Sequence, residues 1–444
     1  MPTLRTFDTI EWLKHITLRR WLLIAAVFHV LLTLAVYLTG YLHLMPGSFN
    51  EQGIGLSLAP DGLLYQRLSA DMADMLRRGE FRSWLNFQTP FHCRLYSLTF
   101  VLPGSLIGYN ILAAEVLNLA YFLGILTVVY FLGKETFDSR AGVSAAAVVA
   151  VWPSFLLHST QLVRDSLAII CMLGLLLVLT RVVGNQFRGP GIWRNGIAGI
   201  ALVILFWITR GNMWNLMLVE LAITFVLLVI EILRRKRIPF INLALLFLIA
   251  VAVLLVPSRI ESTTVPGSRP PRALLEVSSS QRTSGSIWDR LRAQINGRRR
   301  AFSGYTGNSS NIDTDTNFQT IGDIVRYLPR AAEIGLFAPF PRTWFEAGAG
   351  GRAARIAAGC ETFIMYLLYM PAIICLWYER RNLKMWLIFL FSVASMISLG
   401  MVVVNAGALF RLRYVFWMMV IVLAVKGIWI WRDVREASIP PRVS

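Results

Sequence analysis

Residues 21–42 read WLLIAAVFHVLLTLAVYLTGYL, a run without Asp, Glu, Lys or Arg. About 20 apolar residues in a helix rising about 1.5 Å per residue cross a hydrocarbon core of about 30 Å. The run is too long for a signal-peptide core and no small-residue cleavage site follows it, so it reads as a retained span. Comparable blocks occupy 110–132, 141–158, 165–182, 197–209, 213–233, 239–256, 356–377, 385–403 and 414–431. Together they make about ten crossings, each near the length a bilayer requires. The block at 197–209 is short and needs Ile192, Trp193 and Met213 to reach across. With 56% hydrophobic and only 15% charged residues, and its apolar residues in blocks rather than stripes, the chain is not a soluble domain. The expected fold is all-α, a polytopic membrane helix bundle. Cys93, Cys171, Cys360 and Cys375 have neither metal nor disulfide spacing and carry no redox signal.

The positions of Lys and Arg set the topology. If the N-terminus, with Arg5, Lys14, Arg19 and Arg20, is cytoplasmic, the short inner loops hold Lys134, Arg140, Arg181, Arg188, Arg194, Arg234, Arg235, Lys236, Arg237, Arg380, Arg381 and Lys384. The short outer loops hold only Arg164, Arg210, Arg411 and Arg413. That asymmetry follows the positive-inside rule and puts both termini in the cytoplasm. It also accounts for much of the net charge of +18 and leaves no basic cytosolic domain for nucleic acid. Three regions follow: an N-terminal transmembrane module at 1–256 with an outer loop at 43–109, a large outer loop at 257–355, and a C-terminal transmembrane module at 356–444.

Both outer loops carry polar chemistry. In the second, Pro266-Gly267-Ser268-Arg269-Pro270-Pro271, Arg298-Arg299-Arg300 and Gly307-Asn308-Ser309-Ser310-Asn311 mark a first half expected to be mobile or ordered by a ligand. Residues 321–336 then read as a helix on the membrane surface, interrupted by Pro329. In the first loop, Leu64, Leu68, Met72 and Met75 recur at helical intervals from Asp61 onward, as in an interfacial helix. Asp61, after Pro60, has two compatible readings. It caps that helix, or it is a general base for an acceptor hydroxyl beside an outward cavity.

Arg164, Arg210, Arg411 and Arg413 stand at the outer ends of different spans. A single such arginine is most often a snorkelling anchor. Four on loops that should be poor in them favour phosphate binding, for which the paired donors of a guanidinium are suited. Asp165 reads as the partner that fixes Arg164, or as a second site carboxylate. Glu115 and Glu220 lie inside spans and Glu361 nearer the outer surface, where each is either functional or paired, for instance with Asn118 or Asn215. Asp313-Thr314-Asp315 arises too easily by chance to assign a metal.

These stretches resemble the GT-C membrane glycosyltransferases, in particular relatives of the protein O-mannosyltransferases and the lipid A aminoarabinose transferases. The resemblance rests on Asp61 and Tyr65 after a first span, on Trp152-Pro153-Ser154 leading into Gln161-Leu162-Val163-Arg164-Asp165, and on Leu336-Phe337-Ala338-Pro339-Phe340-Pro341 ahead of Glu361. It rests also on Asn405-Ala406-Gly407-Ala408-Leu409-Phe410-Arg411-Leu412-Arg413-Tyr414 at the last span. It implies a bacterial inner-membrane enzyme that moves a sugar from a polyprenyl-phosphate-linked donor to a glycan or lipid acceptor, with inversion. Asp61 would be the base, and Tyr65, Arg164, Asp165, Arg210, Glu361, Asn405, Arg411 and Arg413 would bind substrate. No cofactor is implied with certainty, and a divalent cation stays open because some members use one. The chain departs from the family in having one acid rather than an adjacent pair at Asp61, about ten spans where larger members have more, and no soluble outer domain after the last span. An O-antigen-type polymerase or ligase and a lipid-linked glycan flippase or transporter remain as alternatives. The last of these would need charges along a continuous path through the spans.

Overall fold

The computed structural model describes residues 18–49, 55–57, 59, 61–184, 191–236, 239–259, 286–303, 311–346 and 351–438. Arg5, Lys14, Pro60, Arg188, Arg237 and the stretches 266–271 and 307–310, all used above, lie outside them. The first span is α1 (Leu18–Tyr41), whose Leu23, Val27 and Leu31 face outward as lipid-exposed side chains do. Four helices fill the first loop: α2 (Asp61–Arg77), α3 (Phe81–Asn86), α4 (Phe91–Phe100) and α5 (Gly104–Ile107). Then come α6 (Ile111–Thr136), α7 (Ser139–Ala150), α8 (Pro153–Ser159), α9 (Asp165–Val183), α10 (Gly191–Arg210), α11 (Asn215–Arg235) and α12 (Phe240–Arg259). The second loop contributes α13 (Ile287–Ser303) and α14 (Ile321–Phe337). The chain closes with α15 (Gly351–Tyr378), α16 (Leu383–Val402), α17 (Ala406–Leu412) and α18 (Tyr414–Ala437).

Among the described residues nine helices are long and apolar enough to cross a membrane, and α7 with α8 make a tenth if the bent pair counts as one crossing. No strand occurs among them, as expected where backbone polar groups must be satisfied within each segment. Helix α9 is buried almost throughout and forms the bundle's centre. The short block at 197–209 does extend N-terminally, since α10 begins at Gly191.

Three expectations are corrected. The span read at 141–158 is broken, because α7 ends at Ala150 and α8 leaves it at 70°. Pro153 opens α8, and a residue before proline is driven out of helical backbone, as Trp152 is. The helix at 321–337, in contrast, runs unbroken through Pro329. A capping box of Thr320 with Asp323 starts it, and it packs along α16 so tightly that a Cβ at Gly335 or Gly400 would strike the facing backbone. Finally, Arg298, Arg299 and Arg300 lie on an ordered helix, α13. Arg299 ties that helix to the bundle by donating to the carbonyls of Met401 (2.7 Å) and Asp313 (2.6 Å). The segment 286–303 of the second loop is thereby packed onto the end of the bundle.

Helices α15 and α18 approach as closely. A Cβ at Gly427 would overlap the carbonyl oxygen of Pro371. Gly427→Ala is expected to force the two helices apart at about 1–3 kcal/mol, the usual range for overpacking. Thermal unfolding of the detergent-purified variant tests this, and an unchanged midpoint would contradict the close approach.

Candidate functional site

The ends of the spans where α8 meets α9, α10 meets α11 and α17 meets α18 surround one cavity of about 1430 Å³. Local bonds bring the first loop to its rim. The Leu56 N–H donates to Gln161 Oε1 (3.1 Å), Gln66 donates to the Tyr109 carbonyl, and Asn118 links Tyr96 (2.6 Å) to the Thr160 carbonyl (3.0 Å). Helix α2 is thus seated over the start of α9, and its first residue, Asp61, faces the cavity.

Asp61 bonds no N–H of its own first turn. Its Oδ2 accepts from Arg411 Nη2 at 3.0 Å, across 350 positions of sequence. Arg411 Nε stands 3.2 Å from Asp165 Oδ2, and Asp165 Oδ1 is ion-paired with Arg210. The result is an alternating row, Asp61, Arg411, Asp165, Arg210, drawn from α2, α17, α9 and α10. Asp165 and Arg210 are almost wholly buried, while Asp61 keeps 39% of its side chain exposed to the cavity. Burial works against the Arg411 charge, but Asp165 and Asp61 outweigh it and raise its pKa above the ordinary arginine value. Arg164 lines the cavity nearby and has no carboxylate partner among the described residues. Its sequence neighbour Asp165 pairs with Arg210 and Arg411 instead.

Tyr65, one turn beyond Asp61, also lines the cavity. Burial raises the pKa of its phenol, which therefore stays a neutral donor, and the buried His92 ring packs edge-on to it at 4.3 Å. Burial likewise lowers His92 to about 3, so that ring is neutral. Glu361 reaches the cavity wall with both oxygens taken by Ser154, from the backbone N–H (2.6 Å) and the hydroxyl (2.5 Å). Asn405 caps α17 through Ala408 N (3.0 Å) and donates to Asn311 (3.0 Å), also at the wall.

Arg413 is a different case. It is fully buried outside the cavity lining, donates to the carbonyls of Gly335 (2.9 Å) and Ala338, and lies 4.7 Å from the Trp417 ring centre. Its donors hold the end of α14 against the start of α18, and it stands apart from Arg164, Arg210 and Arg411, which line the cavity. Glu115 bonds His29 (2.8 Å) and Thr33 (2.8 Å) rather than Asn118, and Glu220 is buried with neither oxygen bonded.

Sequence reasoning missed several lining residues: Ser154, His158 and Tyr414, and Arg298, Arg342 and Arg355 from the second loop. A polar Ser-to-His stretch directly after a proline in an otherwise apolar span was the available signal for the first two. Among the described residues no three His, Cys, Asp or Glu side chains converge as a metal set. Asp61 and Asp165 share a guanidinium instead. Asp313 of the DxD triplet is bound by Arg330 (2.9 Å) and Tyr327 (3.0 Å), and the Arg330 hydrogen bond holds it below the usual carboxylate range.

No protein-family model matches the chain, and no curated protein does. Two solved structures align with 96% of it at 13% identity: the archaeal oligosaccharyltransferase AglB from Archaeoglobus fulgidus in complex with an inhibitory peptide and a dolichol-phosphate (TM-score 0.47), and the Archaeoglobus fulgidus oligosaccharyltransferase in the apo form (TM-score 0.44). The chain spans about half the length of each, 53% and 52% respectively.

Removing the carboxylate at the centre of the row tests the geometry apart from any function. Asp165→Asn leaves buried guanidinium charge without its partner and is expected to cost about 3–5 kcal/mol. Adding Arg210→Gln should recover part of that loss in thermal unfolding. A single variant as stable as the parent would show that the row is not formed.

Proposed function

We propose that the protein is a membrane glycosyltransferase of the GT-C type that moves a sugar from a polyprenyl-phosphate carrier to a hydroxyl of a glycan or lipid acceptor. The reading rests on one observation: a carboxylate from the first loop and arginines from several other parts of the chain, Arg164, Arg210 and Arg411 among them, line a single cavity at one end of a membrane bundle. Leu157, Leu216, Val219 and Phe302 give that cavity apolar wall for a lipid chain beside the charges. In this proposal the cavity opens on the non-cytoplasmic side of a bacterial inner membrane, with both termini cytoplasmic, and the enzyme serves envelope polysaccharide or glycolipid assembly.

The acceptor oxygen attacks the anomeric carbon from the face opposite the lipid phosphate, and Asp61 takes its proton. The bond from the anomeric carbon to the phosphate oxygen breaks, and the configuration inverts. Charge grows on the leaving phosphate, where Asp165 already holds Arg210 and Arg411 beside Arg164 in the cavity lining, so that little reorganisation of those two is needed to stabilise it. Arg411 has two roles. Without substrate it occupies Asp61 Oδ2; an incoming phosphate draws it away, so the base is released only when the donor is in place. No nucleotide takes part.

A polymerase or ligase shares the arginine-lined cavity but has no use for the acid, and Asp61 within the lining favours transfer. A transporter is favoured less, because the arginines lining the cavity stand at one end of the spans rather than along them.

Asp61→Asn in purified protein should lower the transfer rate by roughly 10²–10⁴-fold, the usual contribution of a positioned general base, with donor binding retained. Wild-type turnover by that variant, assayed with polyprenyl-phosphate sugars, would remove Asp61 from the mechanism.

A further inference from the structure

Helix α8 is only seven residues long, yet both of its ends are braced by buried acids from other helices. At its start, Glu361 of α15 accepts from the Ser154 N–H and hydroxyl. At its end, the Ser159 hydroxyl lies 2.9 Å from His29 Nε2, and His29 Nδ1 lies 2.8 Å from Glu115 Oε1. The Ser159, His29 and Glu115 arrangement has the order of a hydrolytic triad. Ser159 is outside the cavity lining, however, and its hydroxyl donates to the Leu156 carbonyl (2.7 Å), so the chain is a brace. Buried carboxylates in a membrane bundle are costly and need a reason. Here two of them fix the same short helix.

What that helix presents to the cavity is Pro153, Ser154, Leu157 and His158, one face at helical spacing. His158 is 7% exposed, and Tyr414 holds its Nδ1 at 3.3 Å. Its Nε2 is buried and has no partner among the described residues. A buried polar atom left without a partner, on a residue of the cavity wall, is one that a bound ligand can satisfy when the wall adjusts to it. Which ring nitrogen carries the proton is not fixed by the geometry, so Nε2 is either donor or acceptor. A sugar hydroxyl satisfies both cases, whereas an ionised phosphate oxygen satisfies only one. His158 also lies within electrostatic reach of Arg411, Asp165 and Asp61, and so borders the place proposed for the reacting centre.

We infer that His158 is a sugar-recognition residue, hydrogen-bonding a hydroxyl of the transferred sugar, and that Glu361, Glu115 and His29 act as positioning residues that hold it there through α8. This rests on the proposed transferase reading and refines it. Glu361 then serves the sugar at one remove, since neither of its oxygens is free.

The test uses full-length protein in lipid nanodiscs and equilibrium binding of bare polyprenyl phosphate and of polyprenyl phosphate carrying glucose, galactose, mannose or arabinose. The native protein should bind at least one sugar-bearing form more tightly than the bare lipid. His158→Phe should weaken that form by about tenfold, as expected for one hydrogen bond to a buried group, and leave the bare lipid's affinity unchanged. His158→Gln, which keeps a donor and an acceptor, should recover part of the loss, and Glu361→Gln should act in the same direction as His158→Phe. Equal losses for bare and sugar-bearing lipids would show a phosphate contact or a structural role and overturn the inference. So would no loss at all, or native protein that binds the bare lipid without preferring any sugar. Native protein that binds none of the five lipids would overturn the transferase reading, and this inference with it.

Discussion

A charge inside a helical bundle must find a countercharge, because the surrounding hydrocarbon and packed side chains offer little solvation. The end of this bundle is organised around that requirement. Asp165, at the first turn of the central helix α9, receives Arg210 on one oxygen and Arg411 on the other, and Arg411 passes the pairing on to Asp61. Four elements distant in sequence are joined by these contacts. The cavity exists because they meet around it rather than filling it.

The opposite end of the bundle uses the same currency to different effect. Lys426 bonds Asp138, Arg181 is bidentate to Glu135, and Arg140 reaches Asp433. Each pair joins neighbouring elements of the bundle. At the cavity end, among the described residues, some polar groups are left incompletely matched: Arg164 lacks a carboxylate partner, Asp61 Oδ1 carries no bond, and His158 Nε2 is buried without a partner. A structural pole can be closed by complete pairing, whereas a binding pole needs functional groups in reserve.

Much of this was legible in the chain itself. Spans with their lengths came from apolar blocks, because a bilayer imposes one length scale on every crossing. Asp61, Tyr65, Arg164, Arg210, Glu361, Asn405 and Arg411, singled out from loops and span ends, do line one cavity. Partner choice was not legible. Arg413 looks like Arg411 two positions earlier, but consecutive helical residues point about 100° apart, and Arg413 turns inward to backbone carbonyls. Asp165 was matched to its neighbour Arg164, while the folded chain gives it Arg210 and Arg411. His158 passed for the last residue of an apolar crossing because Pro153 signals a break in the helix without fixing its angle, here 70°.

That turn shortens one crossing of the bundle. Helix α7 contributes 12 residues before the chain swings aside, roughly 18 Å of vertical travel at about 1.5 Å per residue, against about 30 Å for an ordinary hydrocarbon slab. Under the proposed transferase reading, a long-chain carrier would keep its isoprenoid tail among the acyl chains while its polar head entered sideways, and loading would need no extraction of the lipid from the bilayer.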